Sequence, residues 1–359
     1  MHQQKRLASV DALRGLTVAA MLLVNNPGDW GHVFWPLEHA EWHGCTPTDL
    51  IFPFFLFIVG VSLSLSLALG PRLDAGAAPG PLLRGALQRA GRIMALGLLL
   101  HLLAWWLMHS KPEFRIMGVL QRIALCFGFA ALLACGWRSA KAQWALLLAL
   151  LLGYGGLLLG AGDLSKAGNI ASRLDTQLLG RFAYEWDAGT GRAHDPEGLL
   201  STLGALATTL LGLRAGAWLR RGARRELCWL AAGSLLLGAL ATAWLPWNKQ
   251  LWTPSFVLWT GGWATAALLL AHQLVDRLQW RPLGRAFGVN AIAAYAGAWM
   301  CTLLLEGLGW MAPLYAAGFG WLARLAGPSM ASLAFALVFV AVWALIVRWL
   351  DRRGWYFKV

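Results

Sequence analysis

Residues 46–70 read TPTDLIFPFFLFIVGVSLSLSLALG. Thr46, Pro47 and Asp49 have the form of a helix start: a threonine cap, a proline at the first helical position and a carboxylate that closes a capping box. The run that follows stays apolar for about 20 residues, enough to cross a hydrocarbon core of roughly 30 Å as a helix. It has no polar face for water, so 49–70 reads as a membrane span.

Comparable runs recur at 9–28, 84–108, 117–136, 141–162, 198–219, 226–246, 252–275, 285–306 and 329–350. The expected fold is all-α: a polytopic membrane bundle of about ten transmembrane helices with both termini cytoplasmic, forming a single domain over 1–359. Composition agrees, since 58% of the 359 residues are hydrophobic, 13% are charged and 22 are tryptophan, whereas soluble domains are about 25% charged. The stretch 162–198 is too short and mixed to build its own core and is expected as an extracytoplasmic loop with some helix. Residues 307–328, with Pro313 and Arg324, suit an extracytoplasmic or interfacial segment. The first run follows a short basic start without a small-residue cleavage site, so it is expected to remain as an anchor.

A net charge of +13 could suit nucleic acid, but the bases are not spread to meet a polyanion. Lys5, Arg6, Arg72, Arg138, Arg220, Arg221, Arg285, Arg352 and Lys358 all fall on the side of the two termini, which the positive-inside rule makes cytoplasmic. The expected partner is the lipid bilayer and not nucleic acid. Five cysteines, four of them inside runs, indicate neither a disulfide framework nor a zinc site.

Ionisable groups at the rim of a span are costly and point to function. Glu38, His39, Glu41 and His43 stand there, just ahead of the Thr46 cap. His39 is not needed to start the helix, and an imidazole accepts a proton near neutral pH. A His-x3-His metal pair at 39 and 43 is rejected because Gly44 and Pro47 break a helix there and no third ligand is evident. Asp49 caps the helix and is also a catalytic candidate. Asn25 and Asn26 end the first span, where an amide either stops the helix or donates to a developing oxyanion. Trp42 and other span-end tryptophans suit an aromatic belt or stacking on a sugar ring. Arg14, Arg92, Arg214 and Arg285 lie toward the inner side, where guanidinium forks suit phosphates and long stems also snorkel.

Ser9-Val10-Asp11-Ala12-Leu13-Arg14-Gly15, Val24-Asn25, His39-Ala40-x-Trp42-x-Gly44-x-Thr46 and Asp49-Leu50-x-Phe52-Pro53-x-Phe55 together resemble the heparan-alpha-glucosaminide N-acetyltransferase family. Gly118 to Arg122, Asp195 to Leu200, Asn248-Lys249-x-Leu251-Trp252 and Gly288-x-Asn290 resemble its later blocks in the same order. The resemblance covers nearly the whole chain. It implies a transmembrane acyltransferase that takes acetyl groups from cytoplasmic acetyl-CoA, with no metal, and delivers them to the amino group of a glucosamine-type sugar across the membrane. His39 would be the base or a transient acetyl carrier, with Asn25 and Asp49 beside it. Arg92, Arg214, Arg285 and Arg14 would hold the CoA phosphates. Trp42, Glu41, Asn26, Asp195, Glu197, Arg122 and Asn248 would face the acceptor. The large outer N-terminal domain of the animal lysosomal enzyme has no counterpart, and the spacing from Asn25 to His39 is longer. The first departure points to a bacterial inner-membrane enzyme with a smaller or cell-envelope amino sugar, its His39 site in the periplasm, and a homodimer is compatible with it. A small-solute transporter and an O-acyltransferase of cell-envelope glycans are the alternatives.

Overall fold

The computed structural model describes residues 7–65, 73–108 and 113–357. Lys5, Arg6, Arg72, Lys358 and the 66–70 end of the second predicted span lie outside the described residues. The helices are α1 (Ala8–Asn25), α2 (Ile51–Leu65), α3 (Pro79–Leu107), α4 (Val119–Gly136), α5 (Ala140–Gly160), α6 (Ile170–Leu178), α7 (Thr202–Arg220), α8 (Arg224–Leu240), α9 (Pro254–Ala271), α10 (Arg285–Val289), α11 (Ala291–Gly307), α12 (Met311–Ala326) and α13 (Pro328–Arg352). Strands β1 (Glu185–Asp187) and β2 (Arg192–His194) form one antiparallel hairpin in register Glu185↔His194.

The protein is an all-α polytopic membrane protein. Among the described residues, eight helices are long and apolar enough to cross a bilayer, and the bent pair α11 and α12 makes nine. The remaining predicted span, 198–219, is α7. Its side chains are buried almost without exception from Thr202 to Leu219, so it faces protein on every side and tolerates Thr208, Thr209 and Arg214. A helix that meets no lipid need not be uniformly apolar. Helix α12 turns 96° away from α11 and buries none of its residues.

Both described chain ends lie at one end of the bundle. There the Ser9 amide donates to Asp276 at 3.2 Å, and Arg285 pairs with Asp351 at 2.8 Å. At the opposite end Gly28 N donates to Ser332 O at 3.3 Å, and Thr302 donates to Asn26 at 2.6 Å. His39 and the loops around it belong to this second end.

Helices α2 and α7 pack backbone to backbone, the close approach that small residues permit inside membranes. A Cβ added to Gly60 would stand 1.9 Å from Thr209 O, and one on Gly212 would stand 2.0 Å from Phe57 O. Both obstacles are main-chain atoms of a neighbouring helix and cannot swing aside. Gly212→Val is therefore expected to lower stability by about 3 kcal/mol or more, read as a fall in the thermal midpoint of the purified protein. A midpoint within a degree of the parent would refute the close packing.

Candidate active site

The Thr46 to Asp49 turn forms the expected start of α2 and does a second job. Asp49 Oδ2 accepts the amides of Thr46 at 3.0 Å and Ala40 at 3.1 Å. The other oxygen, Oδ1, lies 2.7 Å from His39 Nδ1. The Asp49 side chain is 1% exposed, whereas that of His39 is 49% exposed. A carboxylate can only accept, so the ring proton sits on Nδ1 and the Nε2 lone pair is left for chemistry. The buried capping carboxylate thus sets the tautomer of the exposed ring.

Lys249 completes the cluster from the loop between α8 and α9. Its Nζ is 3.0 Å from His39 Nδ1, 3.1 Å from Nε2 and 3.6 Å from Asp49 Oδ1. Burial pulls the Lys249 ammonium below the usual lysine range, with the charges of Asp49 and Glu197 working against it. Asn248, next to it, fixes the loop by donating to Trp42 O at 2.8 Å and accepting from Leu251 N at 2.7 Å.

His39, Asn25, Asp49 and Lys249 line a cavity of about 1150 Å³. Its mouth is walled by Trp42, Tyr184, Glu185, Trp186, Asp187 and His194, and its floor reaches Gly97, His101, Gln121, Tyr295 and Trp299 between α1, α3, α4 and α11. Beneath the hairpin, Arg115 pairs with Asp195 at 2.7 Å and with Glu197 at 2.5 Å. Burial alone would raise the Glu197 carboxyl, but the charges of Arg115 and Arg122 outweigh it and hold the group below its ordinary value. The cavity therefore presents a fixed carboxylate, aromatic faces and the histidine to one space.

A family model described as heparan-alpha-glucosaminide N-acetyltransferase, catalytic, matches residues 6–179, which include α1 and the whole His39 to Asp49 segment. The human heparan-alpha-glucosaminide N-acetyltransferase (Homo sapiens) is 29% identical across 81% of this chain and 52% of its own length. The mouse protein of the same name (Mus musculus) is 28% identical across 81% of this chain and 53% of its own. The chain is similar to the heparan-alpha-glucosaminide N-acetyltransferase family. It spans about half the length of the curated relatives it matches.

Of the residues that the family resemblance singled out, the structure gathers His39, Asn25, Asp49, Trp42 and Glu197 around the cavity. Others serve its frame. Asn26 is buried, with its amide donating to Leu22 O at 2.7 Å. Asn248 bonds backbone as described, Asp195 holds Arg115, and Glu41 is exposed outside the lining. Arg122 is fully buried, donates to Gly198 O and Ser201 Oγ, and lies 5.2 Å from the Trp252 ring.

The four inner arginines are dispersed, and none lines the cavity. Arg14 bonds Asp11, Ser62 and Gly288 O. Arg285 pairs with Asp351, Arg92 is exposed on α3, and Arg214 bonds Gln143.

Sequence reasoning gave no role to Lys249, Arg115, His101 or Gln121. Lys249 carries the one usable signal, its place within the Asn248 to Trp252 block. The hairpin was also unforeseen within 162–198, although Asp187-Ala188-Gly189-Thr190-Gly191 has the composition of a tight turn.

Asp175 on α6 supports this frame by accepting Leu199 N at 3.0 Å. Burial, with Asp195 nearby, pushes its carboxyl up from 3.8 to about 6. The folded protein then binds more protons than the unfolded chain between pH 3.8 and about 6. The Asp175 contribution to stability is therefore greatest below that window and is lost through it as pH rises, by about 3 kcal/mol. Asp175→Asn is expected to flatten this slope in thermal midpoints taken across the window. An unchanged slope would count against the buried carboxyl.

Proposed function

We propose that the protein is a transmembrane N-acetyltransferase that transfers an acetyl group from acetyl-CoA to the amino group of a glucosamine-type sugar, with His39 as base. The observation that supports this most is the His39–Asp49 pair in the wall of a cavity of about 1150 Å³. A protonated amine cannot attack a thioester, so a neighbouring base must free its lone pair. The ammonium proton leaves to solvent through Nε2 of His39 before attack, and the same Nε2 then takes the second nitrogen proton as the neutral amine bonds to the carbonyl carbon. The carbon–sulfur bond then breaks, and the same proton passes from Nε2 to the departing thiolate. Asp49 holds the ring through both transfers and stabilises the imidazolium between them. Asn25, exposed on the same wall, supplies an amide to the developing oxyanion. Trp42, Tyr184 and Trp186 offer ring faces to the sugar, and the carboxylates of Glu185, Asp187 and Glu197 suit its cationic amine. The cavity lies at the bundle end away from the termini, which supports acceptor chemistry on the side opposite the termini.

The test is to incubate purified protein with acetyl-CoA and a panel of amino sugars and to measure product masses. Glucosamine should gain one acetyl group and N-acetylglucosamine none. Acetylation of N-acetylglucosamine would assign hydroxyl transfer instead. Solute movement without thioester consumption would make the protein a transporter.

A further inference from the structure

A second cavity, of about 120 Å³, lies where α2, α4, α5 and α7 meet at the end of the bundle that carries the termini. Four arginines line it, Arg138, Arg214, Arg220 and Arg221, against a single carboxylate, Asp74. That carboxylate is already committed to Arg220 at 2.6 Å. Arg214 is 6% exposed, and its one hydrogen bond among the described residues goes from NH1 to the neutral amide of Gln143 at 2.9 Å. Its Nε, like that of Arg220, is buried with no partner among the described residues. The Trp144 ring at 5.8 Å is its other neighbour of note. A guanidinium taken out of water among three others, with no carboxylate of its own, lacks the counter-charge that a buried cation requires.

We propose that this pocket binds a phosphate-bearing anion whose oxygens meet Arg214 and the rim arginines Arg138 and Arg221. Guanidinium forks match phosphate oxygens two at a time. The site is separate from the proposed active site. The two cavities share no lining residue, and along α4 they are separated from Gln121 to Ala134, roughly 20 Å at 1.5 Å per residue. Two sources carry the required group: the head group of an acidic phospholipid and the phosphates of a soluble nucleotide such as CoA. The lipid has the shorter approach, because α5, which lines the pocket with Ala140 and Gln143, presents an exposed apolar surface further along at Leu148 and Leu152. Basic pockets between helices on the inner side suit such head groups. An anion there would tie the α4–α5 turn to α7, and α7 packs against α2, whose far end carries Asp49.

The experiment is a thermal-shift titration of the full-length protein in neutral detergent. Short-chain phosphatidylglycerol is the lipid probe, phosphatidylcholine its zwitterionic control, and CoA the soluble probe. Phosphatidylglycerol should raise the midpoint and phosphatidylcholine should not. In the double variant Arg138→Gln/Arg221→Gln the concentration giving half the rise should increase about thirtyfold, about fivefold for each charge removed. Arg214→Gln should abolish the rise. A rise with CoA alone that the same variants remove keeps the site and assigns it to soluble phosphates. No rise with any probe, or a rise that survives the double variant, overturns the proposal. The double variant changes rim side chains only, so the test does not depend on Arg214→Gln folding.

Discussion

His39→Ala is expected to lower kcat/KM for acetyl transfer at least about 10³-fold, within the range that a positioned acid–base group supplies. The protein should remain folded. The ring is half exposed, and its removal frees only Asp49 Oδ1, which has Lys249 Nζ at 3.6 Å to take up the charge. The backbone bonds from Ala40 and Thr46 to the other oxygen are untouched. Product mass after timed incubation gives the rate, and elution volume with thermal midpoint gives the fold. Activity within tenfold of the parent, with an unchanged midpoint, would remove His39 from the mechanism.

Asp49→Asn should separate two roles that one side chain carries. Asparagine keeps one oxygen to accept the Ala40 and Thr46 amides that Asp49 Oδ2 accepts, so the start of α2 should lose at most about 1 kcal/mol. The dyad fares worse, because a neutral amide neither stabilises the imidazolium nor enforces the proton on Nδ1. A fall of about 10⁴-fold in kcat is the scale that a lost carboxylate partner produces in an analogous dyad. The loss should appear in kcat with little change in the KM for the acceptor, since Asp49 is buried behind the ring. Equal losses in stability and rate would mean that the residue serves the helix alone.

The fold was legible because the physics behind it is local. About 20 apolar residues in a row have one inexpensive solution in a bilayer, and the runs at 9–28, 49–70 and 84–108 correspond to α1, α2 and α3. The role of α7 was less visible, since burial inside a bundle is a property of its neighbours. The same division holds at the site. His39 and Asp49 lie ten positions apart around a cap that any sequence reading finds, so their meeting could be anticipated. Lys249 reaches them from 210 positions away through a loop pinned by Asn248, and no pattern within that loop announces the pairing. The inner arginines illustrate the reverse. Their shared depth along separate spans suggested one phosphate cradle, but Arg14, Arg214 and Arg285 each bond different groups and Arg92 is exposed on α3, because depth does not fix which way a helix faces.

The walls of the large cavity come from stretches as far apart as Asn25 and Glu306. During synthesis the chamber stays open on one flank until the chain has grown past α11, long after the histidine and its carboxylate have emerged. A chain stalled before that point holds His39 and Asp49 without the wall that α11 supplies through Tyr295, Trp299 and Glu306.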